Sequence, residues 1–269
     1  MATITPFRYP GSKNKLLPIL SEHIDKMMLT WKSFADVFVG GGSVLLDVAK
    51  RYPKINLFAN DKDYGIYSFW NIVGGIDNNK LKDLLELVET PVTLELFYKL
   101  QESQPNDEIQ AAYRALFLNR TAFSGIAKSG PIGGKEQKSI YTVGCRYNSK
   151  KLKAKIVACN KLLAGRTKVE NCDAANYEPL TITNMPAYLD PPYYVKGGSL
   201  YPINMEPVEH QNLAIQLKTR KNWILSYDDC SRIRELYDKN HIIDLAARYC
   251  INGKKNAWEN KNELIIFAP

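Results

Sequence analysis

Residues 34–42 read Phe-Ala-Asp-Val-Phe-Val-Gly-Gly-Gly, an apolar run that ends in three glycines. A short apolar run predicts a buried strand, and the glycines predict a tight turn at its carboxyl end. Ser43 suits the N-cap of the helix that follows. A second apolar run at 55–59 ends in Asn60 and Asp61. A strand, a glycine turn, a helix, a strand and an acid in this order predict the start of a doubly wound sheet.

The rest of the chain interrupts this sheet and then completes it. Apolar residues recur at helical spacing from 64 to 118, whereas residues 119–149 are rich in glycine and lysine and predict a long loop. Strands and helices then alternate again, with a polar connection at 247–261. We therefore predict an α/β domain formed by residues 1–64 and 166–269, divided by a mostly helical, basic insertion at 65–165.

Composition excludes several classes of protein. The chain has 269 residues, of which 45% are hydrophobic and 24% charged, as is typical of globular proteins. No run approaches the ~20 apolar residues of a membrane span, and the N-terminus has no apolar segment typical of a signal peptide. Five cysteines without a C-x-x-C pair and three scattered histidines argue against a disulfide framework and a metal site. We expect a metal-free monomer in the reducing cytoplasm.

The net charge of +8 resides in the basic segment, which is residues 119–155. It contains one acid, Glu136, and nine cations: Arg120, Lys128, Lys135, Lys138, Arg146, Lys150, Lys151, Lys153 and Lys155. The segment therefore accounts for the whole net charge. Phe123, Tyr141 and Tyr147 lie within it and suit contact with bases. This pattern indicates a nucleic-acid surface, with a solvated basic loop as the alternative.

Asp190-Pro191-Pro192-Tyr193 is the most specific motif. Two consecutive prolines fix φ and remove two N–H donors, and the proline after Asp190 favours an extended conformation there. The motif follows a predicted strand, where open α/β sheets bind ligands. Asp190 and the Pro191 carbonyl can accept the hydrogens of an amino group on a flat ring, and Tyr193 can stack on that ring. The alternative is a structural Pro-Pro turn.

Gly40, Gly41 and Gly42 allow a ligand to approach the backbone closely. They form neither a P-loop nor a complete dinucleotide fingerprint. Asp61 follows Gly42 by 19 residues, close to the offset of the acid that binds ribose in Rossmann-like sites. The glycine run and Asp61 together predict a cofactor that contains a nucleoside. The alternative is a tight turn with a surface aspartate.

Nearly the whole chain resembles the Dam-type DNA N6-adenine methyltransferases, the D12 class of the alpha group, which use S-adenosylmethionine. Residues 7–13 resemble their N-terminal cofactor motif, and residues 36–42 resemble their glycine-rich motif. Residues 119–125 resemble the start of their DNA-contacting loop, and residues 190–193 match their catalytic motif. Thr121 to Ser124 replace a more aromatic pattern of the GATC-methylating members, so the resemblance does not imply a GATC site.

The resemblance implies a Rossmann-like methyltransferase core with an inserted target-recognition domain. It also implies methyl transfer to N6 of an adenine flipped out of double-stranded DNA. The catalytic residues are then Asp190, Pro191, Pro192 and Tyr193. The residues expected to contact the cofactor are Tyr9, Lys13, Asp36, Phe38, Gly40, Gly41, Gly42, Asp61, Asp173 and Asp190. The DNA contacts that we predict are Arg8, Arg120, Phe123, Lys128, Lys135, Lys138 and Arg146.

Two other functions stay open. The first is an amino-methyltransferase that acts on cytosine N4, on RNA or on a protein amide. The second is a catalytically silent nucleic-acid-binding protein, which the basic segment alone supports. The resemblance also allows a cognate restriction endonuclease as a partner.

Overall fold

A seven-stranded sheet organises the part of the chain that the computed structural model describes, which is residues 4–8, 13, 16–181, 184–195, 203–250 and 258–268. The strands are β1 (Ser33–Asp36), β2 (Asn56–Asn60), β3 (Thr167–Glu170), β4 (Ala187–Leu189), β5 (Trp223–Asp228), β6 (His241–Cys250) and β7 (Trp258–Phe267). Their order is β3-β2-β1-β4-β5-β7-β6. Strands β1 to β5 are parallel, and β7 runs antiparallel between β5 and β6. The predicted α/β class is confirmed.

Helices cover both faces of the sheet. They are α1 (Leu17–Met28), α2 (Ser43–Arg51), α3 (Tyr64–Gly74), α4 (Asn78–Leu87), α5 (Leu94–Glu102), α6 (Glu108–Thr121), α7 (Ser149–Leu163), α8 (Glu178–Thr181), α9 (Pro207–Lys218) and α10 (Ser231–Leu236). Successive strand residues point to opposite faces, so Phe34 packs in one core with α1 and α2, and Ala35 packs in the other with α9. Among the described helices, none combines the length and the apolar composition needed to cross a membrane.

The strand order places two predicted site residues side by side. From β1 the chain proceeds to β2 and β3 on one side, and it later returns to β4 and β5 on the other. Asp36 ends β1 and lies in register with Tyr188 of β4, and Asp190 directly follows β4. This reversal of direction is the switch point at which open α/β sheets bind ligands.

The helices between β2 and β3 share the core of the sheet. Helix α3 packs on α6, α7 and β3, and α7 also packs on α2. One hydrophobic cluster runs from Phe34 and Leu57 of the sheet to Leu84 of α4 and Phe97 of α5. The division into two domains at residues 65 and 165 therefore stays a prediction.

Two local predictions are wrong. Helix α2 has Gly42 and not Ser43 as its N-cap, because Gly42 adopts the left-handed φ of 70° that the turn requires. The polar connection predicted at 247–261 is largely strand, since β6 extends to Cys250 and pairs with β7 from Trp258 onwards. The polar composition was misleading because the backbone hydrogen bonds that pair the two strands do not require apolar side chains. Residues 251–257 lie outside the described part of the chain.

Gly42→Ala should destabilise the fold by about 2–5 kcal/mol and lower the melting temperature by roughly 5–15 °C. A Cβ at this position would overlap the Trp70 ring, and the left-handed φ adds strain. Thermal unfolding followed by circular dichroism measures the effect.

Gly134→Ala is the matched control, because Gly134 has a φ of +76° but no atom within 4 Å of the added Cβ. Its free energy of unfolding should fall only by the cost of the left-handed φ, about 1–2 kcal/mol. An equal loss of unfolding free energy in the two variants would contradict the close contact with Trp70.

Candidate active site

A cleft opens at the carboxyl ends of β1, β2 and β4. The residues that follow these strands line it, together with Lys13 from the segment before α1. It is lined by every predicted cofactor residue that the structure describes: Lys13, Asp36, Phe38, Gly40, Gly41, Gly42, Asp61, Asp173 and Asp190. Tyr9 lies outside the described residues. The structure thus brings these residues together, and their contacts with a cofactor stay a prediction.

The cleft is acidic, although the chain as a whole is basic. Its lining includes six acids, Asp36, Asp61, Asp63, Asp173, Asp190 and Glu209, and two lysines, Lys13 and Lys62. Such a lining attracts cations and accepts hydrogen bonds from hydroxyl and amino groups. A ligand that carries positive charge and hydroxyl groups therefore matches this cleft.

Asp36 has an unsatisfied oxygen in the cleft. The residue is only 2% exposed, and its Oδ2 accepts a hydrogen bond from the Leu45 N–H at 3.2 Å. Its Oδ1 is buried without a hydrogen-bond partner among the described residues. Burial raises the pKa of Asp36 well above its usual range, and the nearby charges of Asp190 and Asp61 raise it further. A donor group on a bound ligand would satisfy Oδ1.

Asp61 holds the glycine turn as well as lining the cleft. Its Oδ2 accepts a hydrogen bond from the Gly40 N–H at 2.9 Å, and its Oδ1 accepts one from the Asp63 N–H at 2.9 Å. The residue after β2 therefore fixes the turn after β1. Burial raises the pKa of Asp61 to about 7, and the charge of Asp63 adds to that effect.

Asp173 closes the far side of the cleft. It accepts a hydrogen bond from the Ala175 N–H at 3.0 Å, at the start of a short 3-10 turn. Its carboxylate also pairs with the Lys62 ammonium at 2.7 Å, and Lys62 lies 3.4 Å from Glu209 of α9. The lysine thereby links α9 to the strand ends.

The Asp190 carboxylate belongs to a buried network. The Lys13 Nζ lies 2.9 Å from Asp190 Oδ1 and 2.8 Å from Glu263 Oε1. Lys13 Nζ also donates to the Tyr193 hydroxyl at 2.9 Å, and this hydroxyl donates to Glu263 Oε1 at 2.7 Å. Burial raises the pKa of Asp190 to about 6; Lys13 opposes that rise and Glu263 adds to it. Asp190 is therefore mostly ionised at neutral pH.

Three arginines meet near the N-terminal segment and form the arginine cluster, Arg8, Arg120 and Arg146. The Arg8 N–H donates to Asn119 Oδ1 at 2.6 Å, which holds Arg8 beside the end of α6. Burial lowers the pKa of Arg120 to about 10, and the charges of Arg8 and Arg146 lower it further. In the described part of the chain no acid forms an ion pair with any of the three. Clustered arginines without acids indicate an anion site.

The other predicted DNA contacts lie on the loop after α6. Phe123 is 54% exposed and precedes Ser124, whose φ is 55°. Arg146 lies over the Tyr141 ring at 5.8 Å. Lys128, Lys135 and Lys138 are exposed, and Lys138 pairs with Glu136.

Part of the basic segment faces inward, contrary to prediction. Tyr147 is 9% exposed and donates to the Val88 carbonyl at 3.1 Å, so it does not present its ring to a base. Lys153 pairs with Glu89 at 2.5 Å, and Lys155 donates to the Thr5 carbonyl at 2.9 Å. The local charge count missed these partners because they come from distant positions in the chain.

Comparison with known proteins identifies the family. Residues 9–251 match the D12 class N6 adenine-specific DNA methyltransferases. The chain belongs to this family. The type II methyltransferase M.MjaIII of Methanocaldococcus jannaschii is 24% identical to it over 213 residues, which are 71% of this chain and 69% of that relative.

A carboxylate that the sequence analysis did not single out holds the turn formed by residues 190–193, the predicted catalytic turn of this methyltransferase. Asp228 ends β5, and its two oxygens accept hydrogen bonds from the Tyr194 N–H at 2.9 Å and the Val195 N–H at 3.0 Å. The Tyr194 ring also lies 5.0 Å from that of His210, which is bonded to the Tyr227 hydroxyl. The Pro-Pro turn is thus held from the neighbouring strand. An acid at a strand end was the available sequence signal.

Asp228→Ala should lower the rate of N6-methyladenine formation about 10- to 100-fold, because the turn loses two hydrogen bonds to a carboxylate. The folded fraction should change little, since the site lies at the end of a strand. Methyl transfer to unmethylated DNA measures the rate.

Asp229→Ala is the matched control, since the neighbouring carboxylate pairs with Arg234 at 2.7 and 3.0 Å. Its rate should stay within about twofold of the unchanged enzyme. If both variants were equally active, Asp228 would not hold the turn.

Proposed function

We propose that this enzyme transfers the methyl group of S-adenosylmethionine to N6 of an adenine that is flipped out of double-stranded DNA. One observation carries the proposal: Asp190 and Pro192 line the same acidic cleft as the glycine turn, with Tyr193 beside them. The residues suited to the target base therefore lie next to the residues suited to the cofactor. The transfer needs this arrangement, because attacking nitrogen and methyl carbon must come into line.

The cleft suits this cofactor. S-Adenosylmethionine, when bound, supplies a methyl group on a positively charged sulfur. Asp36, with its unsatisfied Oδ1, is suited to the cationic methionine part, and Asp61 to the ribose hydroxyls. Gly40, Gly41 and Gly42 leave room for a ligand against the backbone. Asp173 stands where the resemblance expects a contact with the adenine of the cofactor.

The catalytic turn is suited to the target base. A base inside a duplex is out of reach, so the adenine must leave the stack. Asp190 and the Pro191 carbonyl then accept the two hydrogens of its amino group, and Tyr193 stacks on its ring. The amine becomes more nucleophilic when both hydrogens are held. After the attack it releases one proton, for which Asp190 is the adjacent acceptor.

The DNA lies across the arginine cluster and the loop after α6. Arg8, Arg120 and Arg146, which form no ion pair with an acid in the described part of the chain, supply cations for phosphates or base edges. Phe123, at 54% exposure, supplies an aromatic surface for an unstacked base step. Lys128, Lys135 and Lys138 extend this surface. We therefore assign residues 65–165 to target recognition.

The relative suggests the biological setting. It is named a type II methyltransferase, and we propose that this enzyme likewise modifies a defined DNA site, with a cognate restriction endonuclease as its partner. The proposal includes a monomer that acts in the cytoplasm. Sequencing of the methylated DNA gives the site, and protection of that DNA from cleavage tests the partnership.

Asp190→Ala should reduce methyl transfer by at least about 10²–10³-fold and leave cofactor binding measurable, because the cleft keeps its other acids. Mass spectrometry of nucleosides from treated DNA measures N6-methyladenine, and calorimetry measures S-adenosylmethionine binding. For the unchanged enzyme, activity should rise from pH 5 to about pH 7 as Asp190, with its pKa of about 6, loses its proton.

Asp244→Ala is the control, since Asp244 is exposed on β6 and pairs with Arg234. Substantial turnover by the Asp190 variant would contradict its role. N4-methylcytosine or methylated RNA would identify the other amino-methyltransferase. DNA binding without cofactor binding would identify the silent binder.

The affinity for DNA should fall steeply with salt. If about six cations contact phosphates, the slope of log affinity against log salt is roughly −5. Arg146→Ala should flatten the slope by about one unit, and Lys161→Ala on the exposed side of α7 should leave it unchanged. Fluorescence anisotropy of labelled duplexes measures both, and a flat response would remove the arginine cluster from the interface.

A further inference from the structure

Glu263 is a buried acid in the last strand, outside every motif of the sequence. It is 2% exposed and precedes the apolar run from Leu264 to Phe267. Its partner in the β5–β7 register is Asp228, so it lies at the edge of the sheet where β5 ends. That edge is also the edge of the cleft. Its carboxylate contacts Lys13 and Tyr193 at 2.8 and 2.7 Å.

Two carboxylates meet the ammonium of Lys13 in this cluster. Asp190 and Glu263 both lie within 2.9 Å of it, and the side chains of Lys13 and Glu263 are each 3% exposed. Burial of a charge is costly unless the charge is paired, and apolar residues of similar volume often stabilise a core equally well. The fold by itself therefore does not call for a carboxylate at this position. The Glu263 carboxylate instead accepts a hydrogen bond from Tyr193 of the catalytic turn, which indicates a role in the reaction.

We infer that Glu263 is a positioning residue for methyl transfer, which holds Lys13 and the Tyr193 hydroxyl beside Asp190. The inference rests on the proposed function. Because Glu263 also attracts the ammonium, Lys13 is held between the two carboxylates and stays beside Oδ1 of Asp190. Because Glu263 accepts from the Tyr193 hydroxyl, the ring keeps one orientation for stacking.

Glu263 also contributes negative charge at the reacting amine. The amine becomes positive during the attack, and a fixed negative charge nearby stabilises that state. Among the described residues, the charged and titratable groups that face Asp190 come from several elements: Lys13 from the N-terminal segment, Asp36 of β1, Tyr188 of β4, Tyr193 of the catalytic turn, Tyr227 of β5 and Glu263 of β7. Among them, Glu263 raises the pKa of Asp190 and Lys13 lowers it. Loss of the Glu263 charge therefore eases ionisation of Asp190.

Glu263→Gln separates these effects, since glutamine keeps the shape and removes the charge. The kcat for N6-methyladenine formation should fall about tenfold. In the plot of kcat against pH, the rise on the acid side (the acid limb) should occur about one pH unit lower. The KM for DNA should stay unchanged, because the arginine cluster is untouched. Asp244→Asn, the same exchange at an exposed site in the same sheet, should leave both the rate and the limb in place.

A second variant tests the inference if Glu263→Gln does not fold. Glu263→Asp keeps the charge at a shorter reach, so it should leave the acid limb in place and still lower kcat. An unaltered acid limb and an unaltered kcat in Glu263→Gln would overturn the inference. If Glu263→Gln does not fold, an unaltered kcat in Glu263→Asp would overturn it. The absence of N6-methyladenine with the unchanged enzyme would instead contradict the proposed function.

Discussion

The buried ammonium of Lys13 is the interaction on which the catalytic end of the molecule depends. It lies within 2.9 Å of carboxylates from two different parts of the sheet, Asp190 after β4 and Glu263 in β7. Neither carboxylate is stable in the interior without a cation, because desolvation of a charge costs more than most folds can offset. A single lysine thus joins the N-terminal segment, the catalytic turn and the last strand.

Charge is divided between two surfaces of opposite sign. The cleft at the strand ends is acidic, whereas the loop after α6 and the arginine cluster are basic. A cationic methyl donor and a polyanionic duplex would therefore be drawn to different places. Asp190 and Tyr193 stand at the margin of the acidic cleft, where a base from the duplex would meet the donor. Asp228 and Glu263 contact this margin from the neighbouring strands, and Asp61 fixes the glycine turn on the other side of the cleft.

Much of the fold was predictable because its signals are local. The glycine run after β1, the acid after β2 and the Pro-Pro turn after β4 each mark the carboxyl end of a strand. Since such ends of parallel strands meet at one edge, their convergence follows from the strand pattern alone. The wrong predictions concern side chains whose partners are distant in the chain. Tyr147 and Lys153 are bound by Val88 and Glu89, which lie about 60 positions earlier in the chain. A count of charges along the basic segment cannot include such partners.

The class of the fold, the family and the position of the Asp190–Tyr193 motif are all predictable from the sequence, because each depends on short runs of residues and their spacing. Contacts between distant residues follow from the tertiary structure alone. Lys13 contacts Glu263, Asp228 accepts hydrogen bonds from the residues after that motif, and Arg8 lies near enough to Arg120 to lower its pKa. The residues of the Lys13–Glu263 pair lie 250 positions apart. Their contact follows from the insertion of β7 between β5 and β6, an order that is set by the packing of whole strands and not by any local preference.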